Sequence, residues 1–251
     1  MKKTASAAAV LLTAALLLTS CSTGSSNYGS SSTTSTSKEI SIVVNGSGSG
    51  RVDPNAQIKP GSVNSGYSYT SKYLGVFIRF ASGWDIKTEK ELKEINGVAA
   101  FNDFQFGLNT AVKSKGEAVD LEATRIETGA NVKLTYKLLS EDSYNITASE
   151  YLTGRLAKID GSTAESGGIF HGTMSSVEIL PEENSVLGVD YTKLYRYSCL
   201  DLTIEETDGT VTYQKLIAMK KDIFIGEILL TATSESEMEE LVKMLEGVSS
   251  S

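Results

Sequence analysis

The sequence predicts an α+β protein in which an antiparallel β-sheet is flanked by helices. Three observations predict it. Three segments open with a Ser/Thr-x-x-Glu pattern, the signature of a capped helix start. Between them, apolar residues recur at every second position, the period of a half-covered strand. The C-terminal half then carries three strand-like runs joined by short turns, which reads as a meander.

At the N-terminus, Lys2 and Lys3 precede an apolar stretch from Ala7 to Leu18. A membrane-spanning helix needs roughly twenty apolar residues, so this stretch is too short to span. Its charge and length have the layout of a secretory signal peptide, residues 1–20. Leu18-Thr19-Ser20-Cys21 resembles the lipobox of bacterial lipoproteins: an aliphatic residue, two small residues, then cysteine. The resemblance implies that the Cys21 thiol accepts a diacylglyceryl group and that the chain is cut just before it. It also implies a location at the cell membrane, lipid-anchored on the extracytoplasmic face. Two or three acyl chains hold a protein stably at a membrane, whereas one does not.

The whole chain has a formal net charge of −8, and losing Lys2 and Lys3 with the signal peptide takes it to −10. An acidic protein of this kind is not expected to bind nucleic acid, which rewards clustered Lys and Arg. Twelve of residues 22–37 are Ser or Thr, too few apolar groups to offset the entropy of ordering. Residues 21–66 are therefore expected to be mostly tether. Within them KEISIVVN, 38–45, has the look of a short strand that GSGSG, 46–50, ends at once.

Residues 67–251 are long enough for one globular domain with its own core. GVFIRF, 75–80, is apolar on both faces and is expected to be a central strand. TEKELKEI opens a helix at Thr88, TASEYLTGRLAKI a second at Thr147, and SEMEELVKMLEGV a third at Ser236, each with Glu three residues on. In the last, Met238, Leu241, Val242, Leu245 and Val248 share a face, and Gly247 is placed to end the helix. NVKLTYKL alternates, with Val132, Leu134, Tyr136 and Leu138 on one face. YTKLYRYSCLDLTI, VTYQKLIAMKKD and IFIGEILLTAT form the meander, turning at Asp208-Gly209 and at Lys221-Asp222, with the last helix covering it.

YTSKYLGVFIRFASGW, 69–84, resembles the opening of PsbP-like domains through Tyr69, Tyr73, Leu74, Gly75, Phe80, Gly83 and Trp84. Asp120-Leu121, Gly129 to Val132 and Thr147 to Leu152 extend the resemblance. The usual proline is missing at Ala81-Ser82, and residues 96–117 fit no element of the family. The resemblance implies an α/β/α sandwich, an antiparallel sheet between helices. It does not imply a photosynthetic role, because a fold does not fix a function.

The residues offer little chemistry. His171 is the single histidine and is expected on a glycine-flanked loop, so no Ser-His-Asp triad is built around it. With Cys21 taken by lipid, Cys199 has no disulfide partner and reads as a buried small hydrophobe. Neither a metal site nor a cofactor is expected. The acid pairs Glu141-Asp142, Glu182-Glu183 and Glu205-Glu206 adjoin turns or strand ends, where solvated carboxylates are ordinary. Asn45-Gly46-Ser47 and Asn145-Ile146-Thr147 match glycosylation sequons without being expected to serve as such. Trp84, with Tyr67, Tyr69 and Tyr73, either packs under a sheet edge or forms an aromatic patch, and packing is the expectation. The functional expectation is a lipid-anchored, non-enzymatic binding or assembly module that engages an envelope protein. The alternative is a cell-wall-directed hydrolase or small-ligand receptor that uses clustered carboxylates.

Overall fold

In the computed structural model, residues 41–44, 52–64, 67–179 and 193–247 are described. The signal peptide, Cys21, Glu182-Glu183, Asn45-Gly46-Ser47 and Val248 lie outside the described residues.

The elements follow in chain order. β1 (Ser41–Val44), β2 (Ser62–Asn64), β3 (Ser68–Ser71), β4 (Val76–Arg79) and β5 (Trp84–Ile86) come first. Two helices succeed them, α1 (Glu89–Ile95) and α2 (Phe104–Lys115). β6 (Glu117–Arg125) and β7 (Asn131–Leu138) lead through a 3-10 turn at Glu141–Ser143 to α3 (Ala148–Ile159). The meander is β9 (Lys193–Glu205), β10 (Val211–Lys221) and β11 (Phe224–Ala232), preceded by β8 (Ile169–Ile179). α4 (Glu235–Lys243) and β12 (Leu245–Gly247) close the chain.

The large sheet runs β1-β9-β10-β11-β7-β6-β5, with β8 on the other side of β9. All its pairings are antiparallel except β1 with β9, so the short strand expected in KEISIVVN joins the sheet in parallel. A second sheet, β12-β4-β3-β2, was not anticipated as separate. The expected central strand at 75–80 is internal to this smaller sheet, and Val76, Phe77 and Ile78 are buried there.

Alternation along the strands makes two cores. In β10, Ile217 and Met219 face one cluster while Leu216 and Ala218 face the other. The smaller cluster lies under α3, whose Tyr151, Leu152 and Ile159 meet Leu200, Leu202 and Ile225 of the meander. The larger cluster lies on the opposite face, under α2, α4 and the second sheet. Helices therefore flank both faces, as the sequence predicts.

Thr88 and Thr147 cap their helices with complete capping boxes, each paired with Glu three residues on. At the third helix the cap is Ser234, two residues before the expected Ser236, and Glu237 accepts from the Thr233 amide. The helix stops at Lys243 instead of running to Gly247. Residues 245–247 extend and pair with β4, and the Met244 carbonyl accepts the Arg79 amide at 2.9 Å. α2 falls in the stretch that fits no element of the family, capped by Asp103 at its start and by Gly116 at φ 80° at its end. The Asp208-Gly209 turn has its left-handed residue at Gly209, and the turn after Lys221 has it at Asp222, φ 51°.

The tether was expected to reach residue 66, but parts of that stretch belong to the domain: β1 pairs with β9, and residues 52–64 pack on the sheets. Ile58 is fully buried and Ala56 nearly so, both within the larger core, and β2 pairs with β3. Residues 52–61 form a strap on the domain, with a turn at Pro54-Asn55 where the Ala56 amide donates to the Asp53 carbonyl. The reason is apolar: Ala56 and Ile58 are buried in the larger core and Val52 packs against it.

Candidate functional site

The strap is held by side chains that read its backbone. Asn109 of α2 accepts the Ile58 amide at 2.8 Å and donates to the Ile58 carbonyl at 3.0 Å. The Tyr136 hydroxyl donates to the Lys59 carbonyl at 3.3 Å. Asp120 Oδ2 accepts the Gly61 amide at 2.9 Å and the Tyr69 hydroxyl at 2.6 Å. The approach is close enough that a Cβ on Gly61 would lie 2.2 Å from the Tyr69 ring, so only glycine fits.

Asp120 reaches this position through a bulge. β6 and β7 pair Val119 with Thr135 and Leu121 with Leu134, which leaves Asp120 as the extra residue. Its carboxyl is buried, and Oδ1 has no hydrogen-bond partner among the described residues. Burial pushes its pKa up to about 6, against the opposing pull of hydrogen bonds from Tyr69 and Gly61. Tyr69 and Tyr136 are held neutral, raised first by burial and then by the Asp120 charge.

A second buried carboxylate, Glu227 of β11, lies under α3. The Tyr151 hydroxyl donates to its Oε1 at 2.6 Å, and the Arg155 guanidinium stands 3.7 Å away. Burial and the Glu227 charge both raise the Tyr151 pKa. Burial is the strongest single influence on Arg155 and lowers its pKa, but Glu227, Tyr151 and Glu117 together outweigh it and raise that pKa as well. Neither carboxylate was singled out for chemistry from the sequence. The available signal was an acid inside an otherwise apolar strand, AVDLEA and FIGEILL.

The expected candidates are scattered. Glu141 and Asp142 are exposed on the 3-10 turn, and Glu205 is exposed at the end of β9. Other acids are spent across strands: Glu178 on Arg196, Asp201 on Lys215, Glu117 on Lys137 and Glu122 on Lys133. His171 lies in β8 and not on a loop, opposite Thr203 with its side chain exposed. Asn145 is exposed and Thr147 is the α3 cap. Cys199 is fully buried, and burial pushes its thiol up to about 12, so it is unreactive as expected. The alternative of an aromatic patch fails, because Tyr69 and Tyr73 are buried while Tyr67 is 61% exposed. Trp84 instead packs on Phe80, ring centroids 5.3 Å apart, at the sheet edge. No group of acids, His and Cys suited to a metal ion occurs among the described residues.

The two edges of the large sheet differ. At the β5 side, the exposed flank of β6 is closed by β5, by the Lys87 amide bonding to the Glu122 carbonyl, and by Asn96 pairing with the Val119 amide and carbonyl. At the other side β8 is the outer strand among the described residues. The 160–162 loop covers its first part: Phe170 donates to the Ser162 carbonyl, Gly161 to the Phe170 carbonyl, and Gly172 to Asp160. These bonds show that the even-numbered residues of β8 point their backbone groups away from β9. Met174, Ser176 and Glu178 follow in that register, with no strand paired beyond them among the described residues. No proline, lysine or bulge interrupts the run.

No family model matches the chain, and no curated protein matches it. Among solved structures the chain is similar to the solution structure of cyanobacterial PsbP (CyanoP) from Synechocystis sp. PCC 6803, at 11% identity and a TM-score of 0.39, covering 79% of this chain and 98% of that one. It is also similar to a crystal structure from Bacteroides thetaiotaomicron VPI-5482, at 14% identity and a TM-score of 0.30, covering 72% of this chain and 48% of that one. The elements described above make the architecture α+β, and a PsbP protein stands among its structural neighbours.

Proposed function

We propose that this protein is a lipid-anchored, non-enzymatic binding or assembly module of the cell envelope, and that it takes an extended segment of a partner protein onto β8. The observation that carries the reading is the outward backbone of Met174, Ser176 and Glu178 on an edge that, among the described residues, lacks the devices that close the opposite one. Such an edge offers hydrogen bonds to a partner strand, and flanking side chains then select the partner. The anchor is supported by the Lys2-Lys3 start, the apolar run and Leu18-Thr19-Ser20-Cys21. A tether between lipid and domain raises the effective concentration of neighbours without fixing orientation. The hydrolase alternative needs converging carboxylates, and the buried acids here serve the strap and α3.

The test is crosslinking of the mature protein in its native membrane. Ser176→Pro removes an outward N–H at a position where an edge strand tolerates proline. Discrete crosslinks to envelope proteins should appear in the wild type, persist in His171→Ala and vanish in Ser176→Pro with the circular dichroism unchanged. Cys21→Ala should leave an unlipidated precursor. Crosslinks that survive Ser176→Pro overturn the β8 reading. Hydrolysis of a wall glycan, peptide or ester by the purified protein, lost on substituting a carboxylate, overturns the non-enzymatic one.

A further inference from the structure

We infer that residues 52–61 are a pH-dependent latch: the strap is closed while Asp120 is protonated and opens more often once Asp120 ionises. The geometry comes first. The strap makes no continuous ladder with a neighbouring strand; its interior stretch is gripped by Asn109, Tyr136 and Asp120 at residues 58, 59 and 61. Of these grips only Asp120 changes charge in the ordinary pH range. Its Oδ2 holds two donors and its Oδ1 none, so a full negative charge in this site is half-solvated at best.

Among the described residues no cation compensates it. The titratable groups facing Asp120 are Tyr69 from β3 and Tyr136 from β7, and both stay neutral. From the strap, Lys59 is exposed and contributes its carbonyl to Tyr136, while Asp53 acts on Tyr73. From α2 the contact to the strap is the neutral Asn109. The neighbours of Asp120 in β6 are apolar, Val119 and Leu121.

The sign follows from linkage. With the strap closed the carboxyl titrates near 6, and with the strap open it is hydrated and returns to its ordinary value near 3.8. Closure is therefore fully favoured below about pH 4 and weakens as pH rises through 6. Above that it stays weaker by a constant factor, on the order of a hundredfold for a shift of about two units. This runs opposite to ordinary acid denaturation, in which carboxylates stabilise by being ionised. Because β1, upstream of the strap, pairs with β9, an open strap enlarges only the loop between β1 and β2, and the latch does not rest on the lipid-anchor proposal.

Hydrogen exchange on the mature full-length protein tests the latch, whether or not Cys21 is lipidated. Rates are corrected for intrinsic exchange, and protection of the 52–61 peptide is taken relative to the β7 peptide. Relative protection should fall by on the order of a hundredfold between pH 4 and pH 7.5. In Asp120→Asn it should not change with pH, since the amide fills the same space without ionising. In Tyr69→Phe the carboxylate loses a donor, so the fall should move to higher pH. The same relative protection at both pH values overturns the inference, as does an undiminished fall in Asp120→Asn. Should Asp120→Asn not fold, a midpoint unmoved in Tyr69→Phe overturns it equally.

Discussion

Asn96 and Asn109 each supply to a lone backbone residue what a neighbouring strand would otherwise supply. The Asn96 carboxamide donates to the Val119 carbonyl and accepts the Val119 amide, both at 2.7 Å, and also donates to the Leu92 carbonyl at 2.8 Å. The residue is 4% exposed, so water cannot substitute for it. Asn96→Ala should therefore lower stability by about 2–4 kcal/mol, the cost of leaving a buried donor and acceptor unmet. Urea denaturation should show the midpoint falling with the slope unchanged. Asn96→Asp keeps the acceptor and loses both donations, so it should not rescue. Neither asparagine is legible from the sequence. Their partners lie 23 and 51 residues away, and nothing local separates them from surface asparagines. Cys199 and the caps Thr88 and Thr147 were legible because each depends on its immediate neighbours.

At the scale of elements, period and capping revealed what local chemistry controls. β7 and the meander show alternation because each has one face on the larger core. α2 does not announce itself: its inward face includes Gly107 and Asn109 beside Leu108, Ala111 and Val112, which blurs the apolar stripe. Asp103 and Gly116 were the usable signals. The end of α4 was misjudged for a different reason. Leu245 continues the helical spacing, but pairing with β4 gains backbone hydrogen bonds that a last helical turn does not have. Leu241, 1% exposed, packs from α4 into the larger core. Leu241→Ala should cost about 2–5 kcal/mol in chemical denaturation. A near-neutral result would mean that α4 does not cover the meander.

Across the whole molecule, the lower limit of the domain is set by contacts that residue composition does not show. A serine-rich run followed by two prolines reads as linker to its end, yet Ala56 and Ile58 between those prolines are buried in the core that joins the two sheets. Composition averages over the stretch, whereas burial is decided by these few apolar side chains. Consider two truncated forms, one beginning at Val52 and one at Ser62. The second loses the Ile58 side chain, worth about 1.5–3 kcal/mol of burial. It also strips partners from Asn109, Tyr136 and Asp120, each a buried polar group costing about 1–3 kcal/mol when unmet. Water entering the vacated channel recovers part of that cost, and freeing the strap returns its conformational entropy. The closed strap is nevertheless the observed state, so its docking is net favourable and its removal must destabilise. At about 2–4 °C per kcal/mol for a domain of this size, the form beginning at Ser62 should melt at least about 5 °C below the form beginning at Val52. Calorimetry of the pair at pH 4, where closure is close to fully favoured, decides it. Equal melting temperatures would mean that the docked strap adds nothing to the stability of the domain.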